Sequence, residues 1–437
     1  MVTAAPHAAG SPESPGFPGS PGSPGSQDPI AASGPVASGS SGPSGPQASS
    51  TPRRVLHVVS SLGLGGTEKV MQLLLTRLDP SRFQRAVWSP ADGPRAVPLR
   101  EAGVTTFVGG DLGSVAARFL PHIVHVHRAG WPQPELLRPL RTAFRQASAV
   151  AQSPGTSADT QLLHTGTDTP RRLPAIVETN VFGRHDPSPS GQLIDVTLFV
   201  SRFCAERFAR VQGIAAVPPR WRVLYNPVDT ALFARLTLPP AERDYTRPVL
   251  GRLSRPDPGK WSHLALHILP VLRRELPNFR YDIVGGTPDA ERYVREHGLS
   301  DNVRFLPPLR DDAELARFFN ELSLLAHAND TGESFGLAIA EAMAAGLPVV
   351  THPCPGLRDN AQLELVEHGV TGLVAETVDD YAGAVLHLLR HPGTARRMGE
   401  AGRRKAAALF DADMQARALE TLYDELCPPQ MANGETP

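Results

Sequence analysis

The chain has 437 residues, 41% of them hydrophobic and 20% charged, which is enough for two globular domains and ordinary for a soluble enzyme. Its three cysteines lie far apart without a C-x-x-C spacing, so the sequence indicates neither a disulfide framework nor a zinc site and favours a reducing cytoplasm. No apolar stretch approaches the roughly 18 residues of a membrane span, and the N-terminus lacks the pattern of a secretory signal.

The net charge of −1 conceals an asymmetry between two halves of the chain. Residues 53–235 contain 22 Lys and Arg against 13 Asp and Glu, whereas residues 236–437 contain 21 against 29. A basic half can attract an anionic membrane surface or a phosphate-bearing acceptor, and a solvated arginine-rich face is the alternative. We expect a cytoplasmic protein, and the first explanation adds peripheral contact with the inner face of the membrane. We expect no nucleic-acid partner.

Residues 1–52 are rich in Pro, Gly, Ser and Ala, which predicts a disordered tail because such a segment cannot bury enough apolar surface to fold. Order is expected from Arg54, where a strand over 55–59 precedes a helix over 67–78. The alternation of strand and helix then repeats, with further strands predicted near 86–88, 104–108, 123–127, 175–178, 196–200 and 222–225. A Ser-, Thr-, Gly- and Gln-rich segment over 146–172 predicts a surface insertion or mobile loop.

A Pro- and Leu-rich linker over 236–247 precedes a second alternating series. Its strands are predicted near 249–251, 281–284, 303–306, 324–326, 349–351 and 373–374, and its helices over 263–275, 289–297, 312–320, 335–344, 379–389 and 394–409. Two such series predict an α/β protein with two doubly wound parallel sheets, in domains over 53–235 and 236–410, followed by a C-terminal helix and tail over 411–437. Because ligands bind at the carboxyl ends of parallel strands, two facing sheets place a shared site in the cleft between them.

A glycine-rich turn, Gly63-Leu-Gly-Gly-Thr-Glu68, lies between the first strand and the first helix. Gly65 and Gly66 allow the backbone to approach a phosphate at the helix start, and a simple tight turn is the alternative. The turn is not a dinucleotide-binding fingerprint, because Glu68 stands where the third glycine is required.

Two glutamates, Glu333 and Glu341, lie eight residues apart around the start of a predicted helix. A ligand at this helix start can meet both carboxylates, and the free N–H groups of Phe335, Gly336 and Leu337 can hold a diphosphate. A surface glutamate on an alanine-rich helix is the alternative for Glu341.

A basic loop and a histidine are further candidates. The loop after the first strand of the second domain carries Arg252, Arg255 and Lys260, and cations there can neutralise a departing diphosphate. A solvated basic loop is the alternative. His127 ends an apolar strand and should emerge at the cleft edge of the first sheet, with His125 buried behind it, although a lone histidine there is more often structural.

Taken together, these motifs resemble the retaining group 1 glycosyltransferases, which have the GT-B fold of two Rossmann-like domains facing across a cleft. The resemblance runs from about residue 54 to 426, and the family's E-x7-E motif reads as Glu333 to Glu341, followed by A-M-A-A-G-L-P-V-V. Further matches are Y-N-P-V-D over 225–229, V-G-G over 284–286 and E-L-V-E-H-G-V-T-G over 364–372.

The resemblance implies that Glu333 contacts the transferred sugar near its reacting face, that Glu341 binds the ribose hydroxyls, and that His127 lies beside the sugar. It also implies transfer with retention, no metal, and no cofactor apart from the nucleotide diphosphate sugar as donor substrate. The acceptor hydroxyl would attack on the side of the leaving group, and the departing phosphate would take its proton. The C-terminal helix would return to the first domain.

The same resemblance assigns the phosphates. Arg252 and Lys260 would hold the diphosphate together with the amides of 335–337, and Gly65 and Gly66 would let the first domain close on it.

Two positions depart from the family pattern. Lys260 follows Arg252 by eight residues instead of about five, so either Arg255 or Lys260 is the second cation. Pro227 replaces the usual glycine of the N-G-V-D motif, which fixes the backbone there.

The main hypothesis is therefore transfer of a hexose from a nucleotide diphosphate sugar to a glycan, lipid-linked or small-molecule acceptor. The altered cation loop motivates one alternative, a GT-B protein that binds a sugar nucleotide or glycan without turnover. A GT-B sugar-nucleotide epimerase or glycan phosphorylase is another, although the phosphorylase needs a pyridoxal lysine, and Lys69, Lys260 and Lys405 lie in no evident cofactor motif.

Overall fold

The structure is a computed structural model that describes residues 51–140, 142 and 173–428, all within one compact unit, Ser49–Pro437. The predicted tail lies outside the described residues except for positions 51 and 52, and the predicted insertion over 146–172 lies outside them entirely. Among the helices that the structure describes, none combines the length and the apolar character needed to cross a bilayer.

The first domain is one parallel sheet with helices connecting its strands. The strands are β1 Arg53–Val58, β2 Phe83–Ser89, β3 Thr105–Val108, β4 Ile123–Arg128, β5 Ala175–Asn180, β6 Val196–Phe199 and β7 Trp221–Val223. The helices are α1 Gly66–Arg77, α2 Ala96–Glu101, α3 Leu112–Phe119, α4 over 134–140, α5 Arg202–Gln212 and α6 Thr230–Leu236. The strand order is β3-β2-β1-β4-β5-β6-β7 and every neighbouring pair is parallel, which requires crossover connections. The connection from β5 to β6 contains a 3₁₀ turn, Gly191–Leu193, in place of an α-helix.

The second domain repeats this arrangement. Its strands are β8 Val249–Leu253, β9 Arg280–Val284, β10 Val303–Leu306, β11 Leu324–Ala326, β12 Val349–Thr351 and β13 Gly372–Val374. Its helices are α7 Leu264–His267, α8 Leu269–Glu275, α9 Pro288–Glu296, α10 Asp312–Asn320, α11 Leu337–Ala344, α12 Gln362–Leu365, α13 Val378–Arg390 and α14 Pro392–Leu409. The parallel strands follow the order β10-β9-β8-β11-β12-β13, so the prediction of two doubly wound sheets is confirmed.

The last helix, α15 Ala412–Leu426, packs against α1 and the core of the first domain. The ring of Tyr423 meets the ring of Phe83 edge to face at 5.9 Å. At the surface of this contact, Arg82 pairs with Glu420 and Asp424, each at 2.5 Å. The apolar face of α15 therefore completes the core that β1 and α1 begin.

Two helices differ from their predicted bounds for local reasons. The predicted helix over 263–275 is two helices, α7 and α8, and Pro270, which has no N–H to donate, lies in the first turn of the second. The predicted helix over 335–344 begins at Leu337, because Gly336 has a φ of +102° and cannot belong to a right-handed helix.

The predicted linker contains no helix or strand over 237–248, yet it is anchored to the second domain. Arg243 is buried and donates to the carbonyl of Ala345 at 2.8 Å, and the Tyr245 hydroxyl donates to the carbonyl of Gly346 at 2.7 Å. These contacts secure the turn that follows α11, and with it the position of that helix.

Candidate active site

Glu333 lies in the loop between β11 and α11, at the carboxyl edge of the second sheet. Three nitrogen atoms surround its carboxylate. The Lys260 ammonium lies 3.1 Å away, the Asn329 amide donates to it at 2.6 Å, and the His327 ring nitrogen Nε2 lies at 3.2 Å. The carboxylate is thus held in one orientation by residues from the β8 and β11 loops.

These neighbours determine the charge of Glu333. Burial alone raises the pKa of a carboxyl, but the hydrogen bond from His327 and the charge of Lys260 outweigh it and lower the pKa of Glu333 to about 2. The carboxylate is therefore ionised at neutral pH. Burial lowers the pKa of His327, so this ring is neutral at neutral pH.

The predicted cations occupy different positions. Arg252 is fully buried, donates to the carbonyl of Ala328 at 2.6 Å and to the carbonyl of Lys260, and stacks over the Trp261 ring at 4.3 Å. Arg252 thus supports the loop whose Lys260 ammonium reaches Glu333, while Arg255 is exposed. Of the two candidates for the second cation, only Lys260 touches the carboxylate.

The start of α11 faces the glycine-rich turn of the first domain. A Cβ placed on Gly66 would lie 3.0 Å from Leu337, and a Cβ on Gly65 would lie 2.2 Å from the Glu68 carboxylate. Phe335 is buried, and Gly336 with its positive φ turns the chain into the helix. The two predicted phosphate-binding segments therefore meet across the cleft at Gly66, while Gly65 leaves room for the Glu68 side chain of its own turn.

Glu341 is the second glutamate of the E-x7-E motif, lies one turn into α11 and is buried. Its carboxylate pairs with the ammonium of Lys69 from α1 at 2.5 Å, and the same ammonium pairs with Asp312 at 2.5 Å. Burial raises the pKa of Glu341, and the charge of Lys69 opposes that rise. Lys69 therefore connects the two domains at the carboxylate that the family resemblance assigns to the ribose.

His127 belongs to a buried chain of hydrogen bonds. Its Nε2 lies 3.0 Å from His57, and His57 lies 3.1 Å from the hydroxyl of Tyr423. The same hydroxyl lies 2.6 Å from His125, which in turn lies 2.8 Å from Thr179. Burial lowers the pKa of His127 to about 3 and those of His57 and His125 well below 6.5, so all three rings are neutral at neutral pH.

One ring nitrogen of His127 is left over by these hydrogen bonds. Its Nε2 faces His57, whereas its Nδ1 is buried without a hydrogen-bond partner among the residues that the structure describes. Tyr423 comes from α15, which makes the C-terminal helix part of the surroundings of this histidine.

The sequence interpretation missed Lys69, His327 and Asn329. His327 and Asn329 directly follow β11 at the carboxyl edge, so the placement rule for parallel sheets could have found them. Lys69 gave no such signal, because its pairing with Glu341 depends on how the domains face each other.

The family comparison matches the second domain, and the curated relatives are covered to less than two thirds of their own length. Residues 239–405 match the family model of group 1 glycosyl transferases. The chain is 33% identical over 248 residues to a GDP-mannose-dependent alpha-(1-6)-phosphatidylinositol monomannoside mannosyltransferase of Mycobacterium tuberculosis, covering 52% of this chain and 61% of that enzyme. It is 31% identical over 273 residues to a D-inositol 3-phosphate glycosyltransferase of Frankia alni, covering 56% and 64%.

Solved structures match more of the chain at lower identity. A glycosyltransferase from Rickettsia africae aligns with a TM-score of 0.66 at 14% identity, covering 86% of this chain and 99% of that one. The Anabaena protein Alr3699/HepE in complex with UDP and glucose aligns with a TM-score of 0.61 at 18% identity, covering 85% and 100%.

Two Rossmann-like domains that meet at their ligand edges, matched by these structures, define a GT-B fold. Residues 239–405, which contain the E-x7-E motif at the cleft, match the family model of group 1 glycosyl transferases, so the second domain is similar to that family.

Proposed function

We propose that this protein transfers a hexose from a nucleotide diphosphate sugar to an acceptor hydroxyl, with retention of configuration and without a metal ion. The match of residues 239–405 to the family model and the facing of the two domains support the reaction class. The observation that carries the proposal is the ionised, oriented carboxylate of Glu333 at the start of α11.

A carboxylate whose pKa is about 2 is a weak base at neutral pH, so Glu333 suits charge stabilisation better than proton abstraction. As the bond between the anomeric carbon and the diphosphate breaks, positive charge develops on the sugar. A fixed negative charge beside it stabilises that transition state. The acceptor oxygen then bonds to the anomeric carbon on the same face, and its proton passes to the departing phosphate.

The leaving diphosphate needs positive charge. We infer that Lys260 supplies it by moving from Glu333 to the phosphate, while Arg252 holds the loop from behind. The N–H groups at the first turn of α11 add the favourable end of the helix dipole. These groups provide charge neutralisation from the chain itself.

Glu341 is the proposed anchor for the ribose. Its carboxylate pairs with Lys69. A nucleotide whose ribose hydroxyls donate to Glu341 must therefore share the carboxylate with the Lys69 ammonium or displace that ammonium. Donor binding and the contact between the domains are thereby coupled at one carboxylate.

The acceptor is proposed to contain a sugar or cyclitol ring. The names of the two relatives refer to phosphatidylinositol monomannoside and to D-inositol 3-phosphate. The name of the first also gives GDP-mannose as its donor, and the Anabaena structure contains UDP, so both nucleotides are to be tested.

The test is turnover by the purified protein. UDP-, GDP- and ADP-sugars are each combined with D-inositol 3-phosphate and with deacylated phosphatidylinositol monomannoside, and release of the nucleoside diphosphate is measured. The anomeric configuration of the product is read by NMR, and the assay is repeated with EDTA. Binding of a sugar nucleotide without release in any combination would favour the non-catalytic alternative, and an inverted product would contradict retention.

A further inference from the structure

Two aromatic side chains lie exposed at the ligand edge of the first domain. Trp131 follows β4 and is 48% exposed, and Phe182 follows β5 and is 37% exposed. Their rings stack with centroids 5.7 Å apart and planes within 9° of each other. Because Arg128 and Asn180 are partners in the register of these two strands, both rings lie just beyond the same edge of the sheet.

The backbone that carries Trp131 is fixed from below. Arg128 is buried and donates to the carbonyl of Trp131 at 2.7 Å, and it is itself held by Glu178 at 2.7 Å and Asp186 at 2.8 Å. A buried arginine with two carboxylate partners is a rigid support. The exposed indole thus stands on a fixed base.

The loop that carries Phe182 is fixed as well. The buried Asn180 amide donates to the carbonyl of Arg184 at 2.7 Å and accepts from its N–H at 3.1 Å, which closes the turn. Gly130 lies directly on this amide, since a Cβ there would be 2.2 Å from its oxygen. The two loops are therefore locked together, and the aromatic pair is preorganised.

The pair borders the cleft. The buried Arg207 donates to the carbonyl of Phe182 and to the carboxylate of Asp359 in the second domain. Asp359 lies beside the loop that carries Glu333, since a Cβ on Gly332 would be 1.6 Å from the Asp359 carbonyl oxygen. The Arg207 guanidinium also donates to the carbonyl of Leu357 at 3.4 Å, and the Leu357 side chain is 58% exposed.

Rigid, exposed aromatic faces beside a polar cleft suit one kind of ligand. The C–H face of a pyranose or cyclitol ring carries a slight positive charge and packs on the negative face of an aromatic ring, while its hydroxyls remain available to polar groups. Binding costs little conformational entropy in the protein, because the two aromatic side chains are already ordered.

We propose that Trp131 and Phe182 form an acceptor-binding platform on which the sugar or cyclitol ring of the acceptor stacks. The platform rests on the proposed function, because it locates the acceptor for that reaction. The platform lies on the first domain, whereas Glu333 and Lys260 of the proposed donor site lie on the second.

The test separates acceptor from donor. Trp131→Ala, Phe182→Ala and the conservative Trp131→Phe are compared with Val217→Ala, a control side chain that is 54% exposed and precedes β7 at the opposite edge of the same sheet. The KM for D-inositol 3-phosphate and for deacylated phosphatidylinositol monomannoside is measured, and the KM for the donor is taken from its hydrolysis without acceptor.

We expect Trp131→Ala to raise the acceptor KM about tenfold, equivalent to about 1.4 kcal/mol, with a smaller rise for Phe182→Ala. The donor KM should change less than about twofold. Trp131→Phe should retain most of the acceptor affinity, and Val217→Ala should match the wild type.

The outcomes distinguish the two proposals. If the wild-type protein transfers the sugar and Trp131→Ala has the same acceptor KM as the wild type, the platform is wrong and the proposed function stands. If the wild-type protein releases no nucleoside diphosphate with any combination of donor and acceptor, both the proposed function and the platform are wrong. If Trp131→Ala instead reduces sedimentation with vesicles of phosphatidylinositol and phosphatidylcholine and leaves KM for the soluble acceptors unchanged, the rings contact a membrane and the platform is wrong.

Discussion

Replacement of Lys69 by Met removes the only ammonium that Glu341 contacts among the described ion pairs and leaves a carboxylate buried in the interface between the domains. A buried carboxylate without its cation is relieved most cheaply by taking a proton. An ordinary glutamate has a pKa of about 4.5, so keeping Glu341 protonated at pH 7 costs up to about 3.4 kcal/mol. At pH 5 the same cost is only about 0.7 kcal/mol.

The sign follows from proton binding. The folded variant binds one proton that the unfolded chain lacks, so its stability falls as pH rises above the unfolded pKa of about 4.5. Chemical denaturation of wild type and Lys69→Met at pH 5 and pH 7 measures the difference, and effects common to both proteins cancel. We expect a deficit of about 3 kcal/mol at pH 7 that shrinks below about 1 kcal/mol at pH 5.

Two variants serve as controls for this measurement. Lys405 donates to the carbonyl of Glu364 at 2.9 Å instead of pairing with a buried carboxylate, so Lys405→Met should show a deficit that does not depend on pH. Adding Glu341→Gln to Lys69→Met should recover part of the loss at pH 7. A Lys69→Met deficit that is equal at both pH values, or larger at pH 5, would refute the burial argument.

Three further predictions concern stability. Because burial lowers the pKa values of His57, His125 and His127 below 6.5, the unfolded chain binds up to three protons that the folded chain lacks once the pH falls below 6.5. As the pH is lowered from this value, the free energy of unfolding should fall by up to about 4 kcal/mol per pH unit, and His127→Gln, but not the exposed His297→Gln, should reduce this slope by about one third. Tyr423→Phe should cost about 2 kcal/mol in denaturant titration, since His57 and His125 both lose a buried partner; an unchanged midpoint would argue against the chain of hydrogen bonds. Gly130→Ala should lower Tm more than Gly213→Ala, because both have positive φ but only the first Cβ meets a neighbour, at 2.2 Å; equal losses would contradict the locked loops.

Periodicity predicted the fold well because parallel strands buried on both faces have strong apolar signatures. Both sheets, and helices such as α10 over Asp312–Asn320, follow the predicted segments. The bounds failed where single residues override the pattern, at Pro270 and at Gly336. The predictions for residues 1–50 and 146–172 remain predictions.

The site was predictable only where its members lie close in sequence or at strand ends. Glu333, Glu341 and Lys260 belong to segments with such signals, and the structure brings them to one cleft. The burial of Arg252 behind its loop was not foreseeable, because it depends on the position of Trp261 and of the carbonyl of Ala328. The assigned roles of Arg252, Arg255 and the glycine-rich turn remain proposals.

Turnover by Glu333→Gln, measured beside the exposed control Glu367→Gln, tests the central claim most directly. The substitution keeps the size of the side chain and removes the negative charge that Lys260, His327 and Asn329 hold in place. If that charge stabilises the transition state of sugar transfer, kcat should fall about 100-fold or more, while the Kd for the donor stays within a few-fold of wild type and Glu367→Gln remains fully active. Glu333→Gln with a kcat close to that of the wild type would contradict the account.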